Sequence, residues 1–579
     1  MRVASVASGP ARIPGWPQPR NAPHRAPHNR SQRNTEGVPV GQQSSRRTGR
    51  GRVRVVAAVA AAAIAAATLA TSALPAGAQT PKPGGEVRFG LEAETTGGYC
   101  ISQANLAISG IQVVAAIYDT LTAPNTKGEY VPNLAESVTP NATFNEWTIK
   151  ARSGITFHDG TPLNADALVA NIEAWRKGVL FQFVYSNIAS VTKVDGLTVK
   201  VATKTPWAAF PAYLYLVGRA GIMAPAQINN PGTCATNLIG TGPFKLDTWK
   251  TNESFVAVKN ANYWKKDAQG NKLPYLDKIT FVPIPDTPSR QNQLEGGQLG
   301  MMHTSGADAI DNLRSVSGVK LTTEPPGNRD VRYYMLNAAR APFNNPDARL
   351  ALAHALNIKK INQIRNLGQF DVANSIIDSK AQGYLKKTGL PTYDLKKAKE
   401  LVAKVKAATG SFDVTFLTTN DSGTLAEAQL LVEQAKAAGI NATLAQVDQS
   451  SLINEALAGK FSVLLWRNFH SDPAYGDAGN YVWFSKGSPV NFGKADDPNV
   501  QAALDAGRAA LTNADGKSAY EDYNKAMMAS PWVIPAWFVD WTIASKGMGG
   551  ILGAPLPDGS KPLYLYGRIP VDGLYLTKK

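Results

Sequence analysis

Four histidines stand beyond residue 80, at His158, His303, His354 and His470, and none is spaced from another as metal ligands on one helix or loop would be. There is no H-E-x-x-H pair, no G-x-S-x-G nucleophile elbow, no phosphate-binding loop and no dinucleotide fingerprint. His158-Asp159-Gly160 sets a base beside a carboxylate, but it lies between strand-like Ile155-Thr156-Phe157 and a helix start at Asn164, where such a triplet reads as a turn. His354 falls inside a helical stretch and reads as a packed side chain. The only thiols are Cys100 and Cys234. An even count in an exported chain favours one disulfide, with two buried free thiols as the alternative. Closing a loop of more than about 100 residues contributes on the order of 4–5 kcal/mol in the chain-entropy model. No metal and no cofactor is expected from these residues, and nothing in them argues positively for catalysis. What they offer is binding chemistry: Arg467, a planar fork for carboxylates and other acceptors, beside Trp466, Asn468, Phe469, His470 and Asp472.

The elements around that run say where it must sit. Val414 to Leu417 reads as a strand, 426–438 as a helix closed by Gly439, and 440–447 as a second strand. A helix over 452–458 follows, and the apolar run Phe461-Ser462-Val463-Leu464-Leu465-Trp466 has the length of a buried strand. Strands alternating with helices imply right-handed crossovers and a parallel sheet, in which ligands lie outside the carboxyl ends of the strands. Arg467 to Asp472 leave such an end. Elsewhere, 86–91 and 146–150 read as strands, and 191–201 as a hairpin about a two-residue Asp195-Gly196 turn. Asn164 caps a helix over 165–175, and Asn345-Pro346-Asp347 opens another whose Leu350, Leu352, Ala353 and Leu356 share a face. The fold class is therefore α/β, with one lobe inserted in another.

The chain has 579 residues, with 60 Lys and Arg against 44 Asp and Glu, a formal +16. Residues 1–78 hold eleven Arg, no Lys and one acid, so +10 of that belongs to them and only +6 to the remainder. That leaves no polyanion-binding surface by composition, and no nucleic-acid partner is expected. Residues 1–45, rich in Pro, Arg, Ser, Asn and Gln, read as a disordered tail. Residues 46–78 read as a signal peptide: five Arg, an uncharged Ala-rich stretch over 55–74, then Ala76-Gly77-Ala78 as the cleavage site, with no lipoprotein cysteine. An uncleaved anchor is the alternative. The protein is thus expected to be exported, to the periplasm or the cell exterior.

Six blocks occur in one order: Tyr118-Asp119-Thr120-Leu121-Thr122, Pro132-Asn133-Leu134-Ala135-Glu136-Ser137, Trp147-Thr148-Ile149-Lys150, Ile155 to Leu163, Gly240-Thr241-Gly242-Pro243-Phe244, and Leu273-Pro274-Tyr275-Leu276-Asp277. Together they resemble the extracytoplasmic solute-binding proteins of ABC importers, in the peptide- and nickel-binding family 5, and the resemblance covers essentially 82–575. It implies a two-lobed periplasmic-binding-protein fold of type II, of the large cluster with an extra subdomain. Lobe one would be 82–110, 236–328 and 535–579, its extra subdomain 111–235, and lobe two 329–534. The crossovers would lie near 329–334 and 535–541. The expected partners are a small-molecule or peptide ligand and the permease subunits in the membrane, with the protein itself a monomer. The resemblance places Trp466 and the loop after it on the ligand, then the aromatic cluster with Trp537 and Trp541, then the loop 92–98 with Glu94 and Thr95. Peptide-binding relatives carry an acid three positions before an Asp-Pro pair; here Asp472-Pro473 is preceded at that distance by Phe469. Loss of that charge-assisted bond forgoes roughly 1.5–3 kcal/mol, about ten- to a hundredfold in affinity. A secreted hydrolase of peptides or glycans, and a surface sensor, are the rival readings.

Overall fold

The computed structural model describes residues 81–577 apart from 96–97, 102–103, 105, 179–181, 468–471, 473 and 566. The tail, the signal peptide and the candidates Asn468, Phe469 and His470 lie outside the described residues.

Two sheets carry the molecule. The first has seven strands in the order Val319–Thr323, Thr542–Lys546, Met301–Thr304, Glu86–Leu91, Lys278–Pro283, Ser254–Lys259 and Phe244–Lys250. Glu86–Leu91 runs parallel to both of its neighbours, and the outer pairs are antiparallel. The second has five strands, Asn441–Val447, Asp413–Thr419, Val463–Trp466, Val331–Leu336 and Val533–Phe538. Asp413–Thr419 is parallel to both of its neighbours, as the strand–helix alternation requires. Val331–Leu336 then enters antiparallel between Val463–Trp466 and Val533–Phe538, so the sheet is mixed. Every residue of Val463–Trp466, Val331–Leu336 and Val533–Phe538 is buried, which is why these segments are nearly continuous apolar runs rather than alternating ones, with Arg332 the one charged residue among them.

The helix of the first crossover spans Ser422–Ala437 and starts four residues earlier than its apolar pattern, because Asp421 caps it by accepting the Thr424 N–H at 2.9 Å. Gly439, at φ +90°, turns the chain back into Asn441–Val447. Asn164 and Asn345 cap their helices as expected, through the N–H groups of Ala167 and Asp347. The 191–201 hairpin forms, but its turn is longer than two residues. Lys193 pairs with Val199, and the Asp195 carboxylate accepts the N–H groups of Leu197 and Thr198, holding a wider loop.

A four-stranded antiparallel sheet, Ala135–Pro140, Glu146–Ala151, Thr198–Thr203 and Ile188–Lys193, occupies the region expected to form the extra subdomain. The glycines of Gly240-Thr241-Gly242 let the chain pass close to the end of the helix Ile108–Ile117. A Cβ at Gly240 would stand 2.0 Å from the Ile117 carbonyl oxygen, and Gly242 donates its N–H to that oxygen at 2.9 Å. Cys100 and Cys234 form a disulfide with a Cα–Cα distance of 5.3 Å.

The two large sheets are joined twice, at 324–330 and at 539–541. Val533–Phe538 still belongs to the second sheet, so the return crossing begins after 538, later than a boundary at 535. The crossings bond to one another: the Glu324 N–H donates to the Trp541 carbonyl and the Val539 N–H to that of Asp330, both at 2.8 Å. Arg329 fastens the pair, donating to Asp378 at 3.0 Å and to Asp371 and Asp540 at 2.9 Å.

Candidate ligand-binding cleft

Strand ends from both sheets converge on one cavity of about 500 Å³. From the second sheet, Val463–Trp466 delivers Trp466 and Arg467, and Asp413–Thr419 delivers Thr419, Asn420 and Asp421. From the first, Glu86–Leu91 delivers Glu92, and the loop after it adds Glu94 and Thr95. The volume lies within the roughly 300–1,000 Å³ usual for small-molecule sites.

Arg467 bridges the two sheets. Its Nη2 bonds to the Glu92 carboxylate and its Nη1 to the Ser305 hydroxyl. Its guanidinium lies 4.6 Å from the Trp541 ring centroid, a cation–π contact beneath the ion pair. Glu92 and Arg467 remain 19% and 24% exposed, so the pair faces the cavity rather than the dry interior. Burial works to raise the Glu92 pKa and to lower that of Arg467, and the partner's charge, the hydrogen bond between them and the other charges nearby together more than offset it: the carboxyl sits below its usual range and the guanidinium above. Behind Glu92, His303 is fully buried and accepts the Glu92 N–H on Nε2 at 2.8 Å. Burial pushes its pKa down to about 3, so at neutral pH it is an uncharged acceptor that positions Glu92. The fork of Arg467 is therefore already engaged within the protein, not standing open to an anionic ligand.

A second pair lines the cavity: Arg332 meets Glu427 in two parallel bonds of 2.9 Å, both side chains buried. Asp421 is held below the usual carboxylate range; burial raises it, but the Thr419 hydroxyl at 2.5 Å and the Thr424 N–H lower it further. Glu94 accepts the N–H groups of Thr95 and Asn252, at 2.8 and 2.9 Å, and the Tyr99 hydroxyl at 3.1 Å.

The candidates divide cleanly. Trp466, Arg467, Trp537, Glu94 and Thr95 line the cavity. Trp541 does not; it is fully buried, supports Arg467, and donates its indole N–H to Asp330 at 3.3 Å. Asp472 does not line it either. It is 1% exposed, accepts the N–H groups of Ala474 and Tyr475 at 2.9 and 2.7 Å, and takes the Tyr130 hydroxyl. Burial pushes its pKa up to about 7 against these donors. His158 closes a turn and bonds the Gly242 carbonyl at 3.1 Å. Sequence reasoning missed Glu427, Asp421, Trp483 and Phe492. The strand-end rule would have found Asp421, which leaves the carboxyl end of Asp413–Thr419 as Arg467 leaves its own strand. Among the described residues no cluster of three or more His, Cys, Asp or Glu could hold a metal ion, and no helix is long and apolar enough to cross a membrane.

Known proteins share this architecture. The model of the family described as bacterial extracellular solute-binding proteins, family 5 Middle, matches residues 129–491. The glutathione-binding protein GsiB of Shigella flexneri serotype 5b (strain 8401) is 30% identical over 319 residues, 54% of this chain and 61% of its own length. Its counterpart in Escherichia coli (strain K12) is 29% identical over 54% and 60%. The match thus spans about three-fifths of these curated relatives. Among solved structures, the periplasmic binding protein DppA of Helicobacter pylori in complex with the peptide STSA superposes with a TM-score of 0.76 at 20% identity, over 86% of this chain and 99% of that one. The oligopeptide-binding protein AppA of Bacillus subtilis, in complex with a nonapeptide, superposes with 0.73 at 20% identity, over 86% and 100%.

Proposed function

The chain belongs to the bacterial extracellular solute-binding proteins of family 5, and from that premise we propose that it is the substrate-binding component of an ABC importer. It captures a small polar solute, a peptide or a peptide-like molecule, between its two sheets and presents it to membrane permease subunits. The observation that carries this reading is the cavity walled by strand ends of both sheets, with Arg467 of one bonded to Glu92 and Ser305 of the other. Two crossings, tied to each other, are the connection that hinge closure uses. Relatives whose names record glutathione and peptides support a solute of that size.

In this proposal Trp466, Arg467, Trp537, Glu94 and Thr95 touch the solute, together with Asn468, Phe469 and His470. Trp541 and Asp472 act from behind it. The protein works as an exported monomer, cleaved after Ala78, and binds rather than reacts. Native mass spectrometry of protein from its own host is expected to show a co-purified small molecule, and incubation with that molecule to return it intact. Recovery of a cleaved product would support the hydrolase instead. Arg467→Ala is expected to weaken solute binding about tenfold, the effect of one charge-assisted hydrogen bond. Unchanged affinity by calorimetry would remove Arg467 from the site.

A further inference from the structure

The cavity wall also carries information about which solutes fit. Trp466, Trp483 and Phe492 pack on one another, with ring centroids 5.3 Å apart for Trp466–Phe492, 5.8 Å for Trp483–Phe492 and 6.4 Å for Trp466–Trp483. All three rings line the cavity, and Trp483 is only half buried although its neighbours are covered. The helix Gly476–Phe484 brings Ala478 and Val482, four residues apart, to the cavity beside Trp483. An aromatic ring left partly open inside a cleft is apolar surface awaiting a partner.

The charges are equally specific. Five arginines and five carboxylates lie among the described residues of the lining, with no lysine or histidine, so the wall is formally neutral. The strongest of them are matched to each other: Arg467 to Glu92, and Arg332 to Glu427 in two bonds. A solute with a surplus charge would leave either itself or a wall residue unmatched in a desolvated site, which is costly. A zwitterion meets both signs, and a neutral molecule disturbs neither.

We infer that the solute carries no net charge and seats an aromatic or branched aliphatic group against Trp466, Trp483 and Phe492. This rests on the solute-capture reading above and narrows it to a chemical class. The test is calorimetric titration of the purified protein with the dipeptides Ala-Phe, Ala-Ser, Ala-Asp and Ala-Lys, which share a backbone and differ in net charge and apolar group. Ala-Phe is expected to bind at least about tenfold tighter than the other three. Trp483→Ala is expected to cost Ala-Phe more than the other three probes and to bring it to within about threefold of Ala-Ser. Phe492→Leu, which keeps the core filled, is expected to cost Ala-Phe a smaller factor. Equal loss of all four probes in Trp483→Ala would show a structural role and overturn the inference. Tighter binding of Ala-Asp, Ala-Lys or Ala-Ser would overturn it and leave solute capture standing. If none of the four binds, mass spectrometry of the solute released on denaturation decides. A net-neutral molecule with an apolar group supports the inference, a charged or wholly polar one overturns it alone, and no solute at all overturns both readings.

Discussion

Arg467 meets Glu92, and Arg508 meets Asp477, and each pair lies where segments distant in sequence come together. The Arg508–Asp477 pair is wrapped. Its guanidinium sits 4.4 Å from both the Trp207 and Tyr481 ring centroids, Tyr213 Oη lies 3.2 Å from Nη1, and the Trp207 indole N–H donates to Asp477 at 3.3 Å. Trp207 and Tyr213 are fully buried, and they belong to the region of the small antiparallel sheet. The Arg467–Glu92 pair has the same formal chemistry but borders the cavity, about a fifth exposed. An ion pair shut away from water must stay made, because either charge alone is stranded; one beside water can be broken and remade at small cost. The first is suited to hold segments together, and the second to respond to what enters the cleft.

That contrast can be broken by measurement. Arg508→Ala should cost about 3–5 kcal/mol in urea unfolding, because it leaves Asp477 buried without its partner; a loss under about 1 kcal/mol would erase the distinction. Asp472, the buried carboxylate taking the Tyr130 hydroxyl, tests the same boundary by pH. Its folded pKa of about 7 stands above the usual carboxylate value, so between roughly pH 4 and pH 7 the unfolded chain releases a proton that the folded chain keeps. Stability from this group therefore falls as pH rises through that window. Asp472→Asn should remove that fall, gaining on the wild type by up to a few kcal/mol by pH 8 in parallel denaturant titrations. A slope unchanged by the substitution would assign it to other groups. The smallest effect belongs to the cavity pair: a double-mutant cycle of Glu92→Gln and Arg467→Ala should give a coupling of about 1 kcal/mol or less. A coupling equal to that of Asp477 and Arg508 would make the two pairs equivalent.

Much of this frame was legible beforehand. The alternation of strand and helix from 413 to 466 foretold the parallel pairs and pointed to the strand end bearing Trp466 and Arg467, because local patterns set local elements and the sheet rule then places their ends. The antiparallel entry of Val331–Leu336 was not legible, since no neighbouring segment records which strand will lie beside it. Nor was the partner of Arg467, because Glu92 is 375 residues away and only the packing of both sheets around one cavity brings them together. Trp483 and Phe492 escaped for a related reason. They reach the cavity from a helix and a loop beyond the strand end, where apolar residues look the same whether they face a core or a ligand. The width of the 194–198 turn was misjudged because the Asp195 carboxylate captures two backbone donors, and a side-chain bond of that kind overrides a two-residue preference.

The tied crossings have a mechanical meaning. Two chain segments bonded side by side form a two-ply strip, and such a strip flexes across its thin direction while resisting shear between its plies. Arg329, gripping Asp371, Asp378 and Asp540 at once, acts as the rivet that keeps the plies in step. Two untied tethers would let the halves swivel as on a ball joint. Under the proposed hinge closure, the strip would leave them the single stroke of a door and would return Arg467 to the same place opposite Glu92.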